Sequence, residues 1–333
     1  MTAELYVTFD VEDFINNRST EALLSILTVL KRQGVKGFFF ITGHMAEKLK
    51  NFPKHIALLE AHEIGYHSTS HSVHPGIFEY TDIDDYDEAV KIALQREISH
   101  IDPLSGQVDG PGGIKLLREL FPNKKIEAFR APGFSWSPPH IEALRSLKIK
   151  YDFSTNISKA PVFYKDIVFY PFPLSIDTTD LGLLLTSAIR RKAVVLDYHP
   201  NTIVNKEFWD SPFFSKSNPH ALSEVVAKDE RESNRLISNL EMHLHRIRRL
   251  IKIGLLEIGR LDTARPPLNI HRIDVGKVYE KIVQWPLTRF DYKPHFIFSH
   301  VLKFFDLSDA SNGANSDAVS SPVFQSGGLS SLK

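Results

Sequence analysis

Residues 5–41 read LYVTFDVEDFINNRSTEALLSILTVLKRQGVKGFFFI. The apolar runs at the two ends of this stretch predict buried strands, and the leucines between them recur every three or four residues, as on one face of a helix. We expect Ser19 or Thr20 to cap this helix, Ser19–Lys31, and Gly34 to end it. A strand–helix–strand unit predicts an α/β fold with a mainly parallel sheet.

The same alternation continues through the first two hundred residues. Further helices are predicted over Asp85–Ile98, after Pro138, and along the region Glu224–Ile258, whereas the Gly- and Pro-rich residues Asp102–Gly113 predict a loop. The predicted strands are Leu5–Phe9, Val35–Ile41, Glu63–Tyr66, Glu127–Phe129, Lys150–Phe153, Ile167–Tyr170 and Ala193–Asp197.

Composition narrows the possible functions. The chain of 333 residues is 42% hydrophobic, and its 40 basic side chains balance its 40 acidic ones, so no global field favours nucleic acid as a partner. Because cysteine is absent, any metal must be bound by histidine and carboxylate. We find no leader and no apolar run near the ~20 residues of a membrane-spanning helix, and expect a cytoplasmic protein.

The C-terminal third carries less information. The long helical region has a basic face that could contact a membrane surface peripherally, although packing on the domain is the simpler interpretation. That face contains Arg246, Arg248, Arg249 and Lys252. We expect one domain over residues 1–262, an extension of unknown role over 263–306, and a disordered tail over 307–333. The oligomeric state is not predicted.

Three acids, Asp10, Glu12 and Asp13, follow the first predicted strand. In parallel α/β sheets, sites are built at the carboxyl ends of the strands. A single acid here would be interpreted as a helix cap or part of a solvated turn. For three acids together, a functional site is about as plausible as a helix cap or a solvated turn.

A sharper signal is the segment His67-Ser68-Thr69-Ser70-His71, again after a predicted strand. Two imidazoles four residues apart can reach one metal ion from a single turn. The alternative is a pair of solvated surface histidines. We interpret the nearby His44, His62 and His74 as structural or rim residues.

Three later segments also end predicted strands. Arg130-Ala131-Pro132-Gly133-Phe134-Ser135-Trp136 combines a positive charge with turn residues and an aromatic platform suited to a sugar ring, Asp152 follows the next apolar run, and His199 closes the last. Taken singly, Arg130 could form a salt bridge, Asp152 a helix cap and His199 a core histidine. Together, these segments indicate one site.

In this order the motifs resemble those of the polysaccharide deacetylase family with the NodB-homology domain, from about Leu5 to Pro200. The first motif resembles Thr-Phe-Asp-Asp-Gly, the second His-Ser/Thr-x-x-His and the third Arg-x-Pro; the fourth begins with Asp and the fifth ends in His. The resemblance implies a distorted (β/α) barrel, here with a C-terminal helical extension. It also implies a divalent ion, which we expect to be Zn²⁺.

The resemblance also implies roles. Asp10 would be the general base and His199 the general acid, with Arg130 orienting Asp10 and Asp152 orienting His199. The metal would be held by His67, His71 and a carboxylate. Because Val11 replaces the family's second aspartate, that carboxylate is Glu12 or Asp13, and strand alternation favours Glu12. The expected substrate-binding residues are Pro132, Phe134, Trp136 and Tyr198.

The expected function is removal of an N-acetyl group from an amino sugar of a surface glycan or its intracellular precursor. Alternatives are a hydrolase of another C–N bond, such as an N-formyl sugar or a cyclic amide, a metal-independent member, and a non-catalytic carbohydrate-binding homologue. The segment 201–220 stays open: Trp209, Phe213 and Phe214 could form a lid or simply pack.

Overall fold

A computed structural model describes residues 2–71, 85–101, 107–134, 136, 138–154, 161–171, 173–177, 179–210, 225–261 and 268–269. His74, Phe213, Phe214 and the expected tail 307–333 lie outside these residues, as does the expected extension 263–306 apart from 268–269. The predicted domain boundaries therefore stay predictions.

Strands and helices alternate through the described chain. The strands are β1 (Ala3–Val11), β2 (Phe38–Ile41), β3 (Glu63–Tyr66), β4 (Ser99–Ile101), β5 (Val108–Pro111), β6 (Ala128–Phe129), β7 (Tyr151–Asp152), β8 (Val162–Tyr164), β9 (Ile167–Phe169), β10 (Leu174–Ser175), β11 (Val194–Tyr198), β12 (Leu256–Ile258) and β13 (Leu268–Asn269). The helices are α1 (Asn17–Gln33), α2 (Gly43–Leu49), α3 (Pro53–Leu59), α4 (Tyr86–Ile98), α5 (Gly113–Leu120), α6 (Pro138–Ser146), α7 (Leu181–Ile189), α8 (Pro200–Val204) and α9 (Glu230–Lys252).

The main sheet runs in the order β10-β11-β1-β2-β3-β6-β7-β9-β8-β13, with β12 beside β1. Its pairs are parallel except β8 with β9. The sheet curls into a half-barrel with helices around it. The predicted α/β fold of the distorted (β/α) barrel type is therefore confirmed.

Strand alternation divides the sheet into two faces. Along β1, Leu5, Val7, Phe9 and Val11 belong to the large outer core, whereas Tyr6 belongs to a smaller inner cluster. The outer core fills the space between the sheet and the helices, where α1 packs against α3, α8 and α9. Inward-facing rings fill the base of the half-barrel, namely Tyr6, Phe38, Phe40, Phe153 and Tyr170.

One glycine shows how tightly this interior is packed. A Cβ added at Gly65 of β3 would lie 2.5 Å from the ring of Phe40, so no larger residue fits at this inward position. The guanidinium of Arg130 lies 4.5 Å from the centre of that same ring. The aromatic base of the half-barrel thus supports the polar groups above it.

Several predicted boundaries differ from the structure, and three of these differences have a clear structural cause. Helix α1 begins at Asn17 after the cap residue Asn16, not at Ser19 or Thr20, because the Asp13 carboxylate already accepts the backbone N–H groups that precede the helix. Gly34 ends α1 as predicted, with a φ of 63°.

The other two differences arise from sheet pairing. The helical region predicted to reach Ile258 ends at Lys252, and Leu256–Ile258 pair instead with the start of β1. Part of the predicted loop Asp102–Gly113 is strand β5, which pairs with β4 in a separate antiparallel sheet. No helix in the described part of the chain combines the length and apolarity needed to cross a membrane.

Candidate active site

The polar residues of the site lie on the inward face at the carboxyl ends of the strands. On β1, Tyr6 is followed on the same face by Thr8, Asp10 and Glu12, and on β11 Val195 is followed by Asp197 and His199. The last residues of each series, Asp10, Glu12 and His199, line a cavity of about 200 Å³. Its lining residues are Asp10, Glu12, His67, His71, Ala131, Gly133, Phe134, His199 and Phe208.

Glu12 brings the two histidines of the second motif together. Its Oε2 atom lies 3.0 Å from Nε2 of His67 and 2.8 Å from Nε2 of His71. All three side chains are buried, and one ligand atom from each lies within 4.8 Å of the others. The group offers two imidazole nitrogens and one carboxylate to a single point.

The hydrogen bonds of His67 fix its orientation. Nδ1 donates to the carbonyl oxygen of Arg130 at 2.7 Å, so this nitrogen carries the proton and Nε2 is the atom that faces Glu12. Burial alone would lower the pKa of His67, but the carboxylates of Asp10 and Glu12 outweigh it and raise the pKa. The surroundings of His67 therefore favour positive charge.

This arrangement fits a divalent ion. The Oε1 atom of Glu12 is buried without a hydrogen-bond partner among the described residues, which is costly unless a cation occupies the site. Two histidines and one carboxylate are a common ligand set of catalytic zinc, which leaves a position open for water or substrate. Burial alone would raise the pKa of Glu12, yet the adjacent His71 and His67 hold it well below its usual value.

A segment after α8 supports the second histidine. The Asp210 carboxylate is fully buried and lies 3.6 Å from Nδ1 of His71, on the side of the ring opposite Glu12. The indole of Trp209 packs edge-on against the same ring at 5.3 Å. Carboxylates in this position orient a metal-binding imidazole and increase its basicity.

Arg130 joins the two acids beside this group. Its Nη1 donates to Oδ1 of Asp10 at 2.7 Å and to Oδ1 of Asp197 at 2.6 Å, and Nη2 donates to Thr8 at 2.7 Å. Although burial alone would raise the pKa of Asp10, the charge of Arg130 and the nearby imidazoles lower it. Asp10 is therefore held ionised, with Oδ2 facing the cavity histidines.

His199, which the family resemblance implies to be the general acid, also lines the cavity. Its Nε2 is 3.4 Å from Oδ2 of Asp10, and its Nδ1 is 3.5 Å from Oδ2 of Asp197. Burial alone would lower the pKa of this imidazole, but Asp197, Asp10 and Glu12 raise it to about 10. His199 is therefore protonated at neutral pH, and its ring also packs against Phe208 at 5.3 Å.

Asp10, Asp197 and His199 form a second group with the spacing of metal ligands. The positive charge of the Arg130 guanidinium already balances the carboxylates of this group, because Nη1 pairs with both Asp10 and Asp197. A second ion would have to compete with a buried guanidinium that cannot lose its charge. Of the two groups, the one that could hold a metal ion is therefore Glu12, His67 and His71.

Asp13, the alternative carboxylate, supports the turn instead. Its Oδ1 accepts backbone N–H groups of Ile15 at 3.1 Å and Asn16 at 3.0 Å, and its Oδ2 accepts from Ser19 and from Nδ2 of Asn205 at 3.2 Å. The preference for Glu12 follows from strand alternation, which directs Asp13 away from the inward face.

The prediction that Asp152 orients His199 is wrong. Its carboxylate accepts from Ser154, through the backbone N–H at 2.7 Å and the hydroxyl at 3.0 Å. The neighbours Tyr151 and Phe153 face the interior with the inner cluster, so Asp152 faces the opposite side. Asp197 takes the position beside His199 that was assigned to Asp152.

Two of the four predicted substrate-binding residues are also wrong. Trp136 is fully buried in the outer core, where its ring packs against Phe169 at 5.3 Å. Tyr198 lies between inward residues of β11 and therefore faces the helices. Phe134 does line the cavity, and Pro132 begins the short 3-10 turn that carries it there.

Sequence reasoning missed Asp197, Phe208 and Asp210. Asp197 could have been found, because it lies two residues before His199 on a strand and must share its face. Phe208 and Asp210 could not, since they reach the cavity through a segment without periodicity or motif. Trp209, considered as part of a lid, is fully buried against Phe14 and His71.

Several solved structures match about four fifths of this chain. A family 4 carbohydrate esterase pseudoenzyme from Bacillus anthracis is 15% identical over 81% of this chain and 67% of its own, with a TM-score of 0.41. An esterase of that family from Streptomyces lividans, in complex with acetate, is 13% identical over 80% and 98%, with a TM-score of 0.40. These values are too low to transfer an activity.

Family comparison supports the resemblance directly. No protein of curated function matches the sequence. Residues 2–109 match the polysaccharide deacetylase family, and this segment contains Asp10, Glu12, His67 and His71. The resemblance of this chain to the polysaccharide deacetylases is thus confirmed over residues 2–109.

Proposed function

We propose that the protein is a metal-dependent hydrolase that removes the N-acetyl group from an amino sugar of a surface glycan or its precursor. The observation that carries this proposal is the convergence of Nε2 of His67 and Nε2 of His71 on Oε2 of the buried Glu12. The charged pairs beside it, Asp10 with Arg130 and His199 with Asp197, supply the proton transfers that amide hydrolysis requires.

Glu12, His67 and His71 would hold the ion, which we propose to be Zn²⁺. When bound, such an ion polarises the amide carbonyl and lowers the pKa of a water molecule. His67 is prepared for this role because its Nδ1–H is fixed by the carbonyl of Arg130. The Asp210 carboxylate, 3.6 Å from Nδ1 of His71, would orient the second ring through its charge.

The proton transfers follow from the two charged pairs. Asp10, held ionised by Arg130, accepts the proton of the attacking water as that water forms the new C–O bond. His199, protonated beside Asp197, donates a proton to the nitrogen as the C–N bond breaks. The products are acetate and a free amino sugar, and both residues then return to their starting protonation states by exchanging protons with solvent.

The residues that line the cavity support the proposal that the substrate is a sugar. Phe134 and Phe208 are partly exposed on its lining and offer apolar ring surface to the apolar face of a sugar, while the charged groups face the amide. A cavity of about 200 Å³ is large enough for one acetamido group and part of the sugar ring that carries it.

The test combines metal content with product release. Purified protein is assayed for bound metal, and then with N-acetylated sugars, sugar oligomers and nucleotide sugars for acetate and free amine in equal amounts. We expect about one divalent ion per chain and acetate release that a chelator abolishes and Zn²⁺ restores. Release of formate or opening of a cyclic amide would identify a different C–N bond, and sugar binding without turnover would identify a non-catalytic homologue.

A further inference from the structure

The loop between the two histidines has an unfavourable backbone conformation. Ser68 has a φ of 62° and His71 a φ of 56°, both in the left-handed region that residues with a Cβ rarely occupy. Such a conformation persists only where surrounding contacts hold it. The metal site therefore depends on whatever fixes this loop.

The side chain of Glu97 makes the contacts that the loop requires. This carboxylate is fully buried and accepts hydrogen bonds from the Ser68 hydroxyl at 3.2 Å, from Nε2 of His140 at 2.8 Å and from the Tyr66 hydroxyl. Tyr66 and Ser68 flank His67 in sequence, so two of the three donors hold the residues on either side of a proposed metal ligand. His140 lies on α6, which follows the turn that carries Phe134 into the cavity.

The position of Glu97 is unfavourable for stability alone. It is the second-last residue of α4, where the helix dipole opposes negative charge, and it is removed from water. Three donors offset this cost only because they converge from β3, the histidine loop and α6. A neutral side chain would fill the same space without that requirement.

The neighbouring residue Thr69 is held from the same side. Its hydroxyl donates to the carbonyl oxygen of Arg96, next to Glu97, at 3.2 Å and accepts from the backbone N–H of Gly113 at 3.0 Å. A Cβ at Gly113 would lie 2.7 Å from Cα of Thr69, so this contact is close. The end of α4 and the start of α5 therefore hold the loop against the start of α2, where the carbonyl groups of Ser68 and Thr69 accept from the backbone N–H groups of Gly43 and His44.

We propose that Glu97 is a positioning residue for the metal centre, holding His67 and His71 in the geometry that binds the ion. This inference rests on the proposed function, because it assumes that the two histidines are ligands. It assigns to a residue outside all five sequence motifs a share of the metal affinity, exerted through Ser68 and Tyr66 rather than by contact with the ion.

The test measures Zn²⁺ affinity by competition with a chromophoric chelator in the full-length chain. Glu97→Gln keeps the volume and removes the charge, and we expect its dissociation constant for Zn²⁺ to rise about 10–100-fold. Ser68→Ala should also raise this dissociation constant. The double variant should have a dissociation constant no higher than that of the single variant that binds Zn²⁺ more weakly. Glu88→Gln, on the exposed side of α4, is the matched control and should leave the affinity unchanged.

Amide hydrogen exchange in metal-free protein provides a second readout. Glu97→Gln should accelerate exchange across residues 67–71, whereas Glu88→Gln should not. If Glu97→Gln does not fold, Ser68→Ala and Tyr66→Phe each remove one donor and carry the same expectations. Unchanged zinc affinity in folded Glu97→Gln, or fully additive effects with Ser68→Ala, would overturn the inference and leave the proposed function standing. Failure of the unaltered protein to bind Zn²⁺, with exchange still accelerated in Glu97→Gln, would instead overturn the metal-dependent function.

Discussion

Asp10 and Glu12 lie two residues apart on one face of β1, yet their partners give them different chemistry. Asp10 pairs with a guanidinium and Glu12 with two imidazoles. The first therefore suits the proposed role of general base, and the second, whose Oε1 is buried without a hydrogen-bond partner among the described residues, suits the proposed role of metal ligand. The proposed base and the proposed ligand thus differ only by two positions along a single strand.

Asp10→Asn tests the role of general base. The amide keeps the size of the side chain and its contact with Arg130 but cannot accept the water proton, so turnover should fall about 10²–10⁴-fold. Zinc content should stay near that of the unaltered protein. Measurement of both quantities on one preparation is decisive, because loss of zinc in Asp10→Asn would make Asp10 a ligand.

Glu12→Gln and Asp13→Asn test which acid is the ligand. Glu12 contacts both histidines, whereas the oxygens of Asp13 accept from the turn and from the start of α1. We expect Glu12→Gln to lose zinc under mild chelation and Asp13→Asn to retain it with a lower melting temperature. The reverse order of zinc loss would transfer the ligand role to Asp13.

Asp197→Asn and Asp152→Asn form a matched pair for the orientation of His199. Asp197 lies 3.5 Å from Nδ1 of His199, whereas the oxygens of Asp152 accept from Ser154 on the other face of the sheet. Misplacing a catalytic group by about 1 Å can cost about 10²-fold in rate, and we expect a loss of that order in kcat for Asp197→Asn. A larger loss in Asp152→Asn than in Asp197→Asn would contradict this assignment.

Strand alternation decides which site residues were predictable. Asp10, Glu12, Arg130 and His199 follow from motif and period together, and all four reach the inward face. Tyr198 and Asp152 were misplaced because the motif was followed and the period was not applied. The segment from Phe208 to Asp210 has neither signal, so its contribution to the cavity could not be predicted.

At the level of elements, His62 lies at the junction of β2 and β3. Its Nδ1 accepts the backbone N–H of Gly37 at 3.1 Å, and its ring packs against Phe39. Burial, with the charges of Lys36 and Lys124, lowers the pKa of His62 to about 4. The prediction that His62 is structural agrees with this position.

Acid should destabilise this junction. Below the unfolded-state pKa of about 6.5, the unfolded chain binds a proton that the folded chain excludes until about pH 4, so stability falls as the pH falls through this window. The loss is on the order of 3 kcal/mol. His62→Asn keeps an acceptor for Gly37 but cannot be protonated.

Chemical unfolding at pH 7 and pH 4.5 measures this effect. His62→Asn should lose less unfolding free energy on acidification than the unaltered protein, even though its stability at pH 7 is lower. His245→Asn, on the exposed side of α9, is the control and should keep the full acid dependence. An equal loss in His62→Asn and the unaltered protein would show that His62 does not carry it.

The boundaries that sequence missed depend on pairing over long separations. Nothing within Leu256–Ile258 distinguishes the end of an amphipathic helix from a strand, because its identity comes from pairing with Ala3–Leu5 at the far end of the chain. The strand β5 likewise forms against β4 despite its Gly and Pro content. Local propensity predicts strands such as β3, whose own residues favour a strand. It fails where pairing with a distant segment decides whether a strand forms.

For the whole molecule, the half-barrel is built in layers. Aromatic rings fill its base, the guanidinium of Arg130 lies on Phe40, and the acids and histidines lie above at the open end. Successive inward positions along a strand pass from one layer to the next. The packed aromatic base therefore fixes where along the strands the polar groups of the site lie. The proposed metal ligands, however, come from two segments that only folding brings together, the end of β1 and the loop after β3.

Binding of the ion should therefore stabilise the whole fold. A ligand that binds the folded chain alone adds about 2.7 kcal/mol to the unfolding free energy at a free concentration 100 times its dissociation constant. We expect Zn²⁺ to raise the melting temperature and a chelator to reverse this increase.

His67→Ala and His71→Ala should each abolish the increase together with activity, since two remaining ligands bind zinc weakly. His245→Ala is the control for loss of an exposed histidine. Stoichiometric zinc, a full thermal shift and full turnover in either site variant would show that the two histidines do not bind the ion.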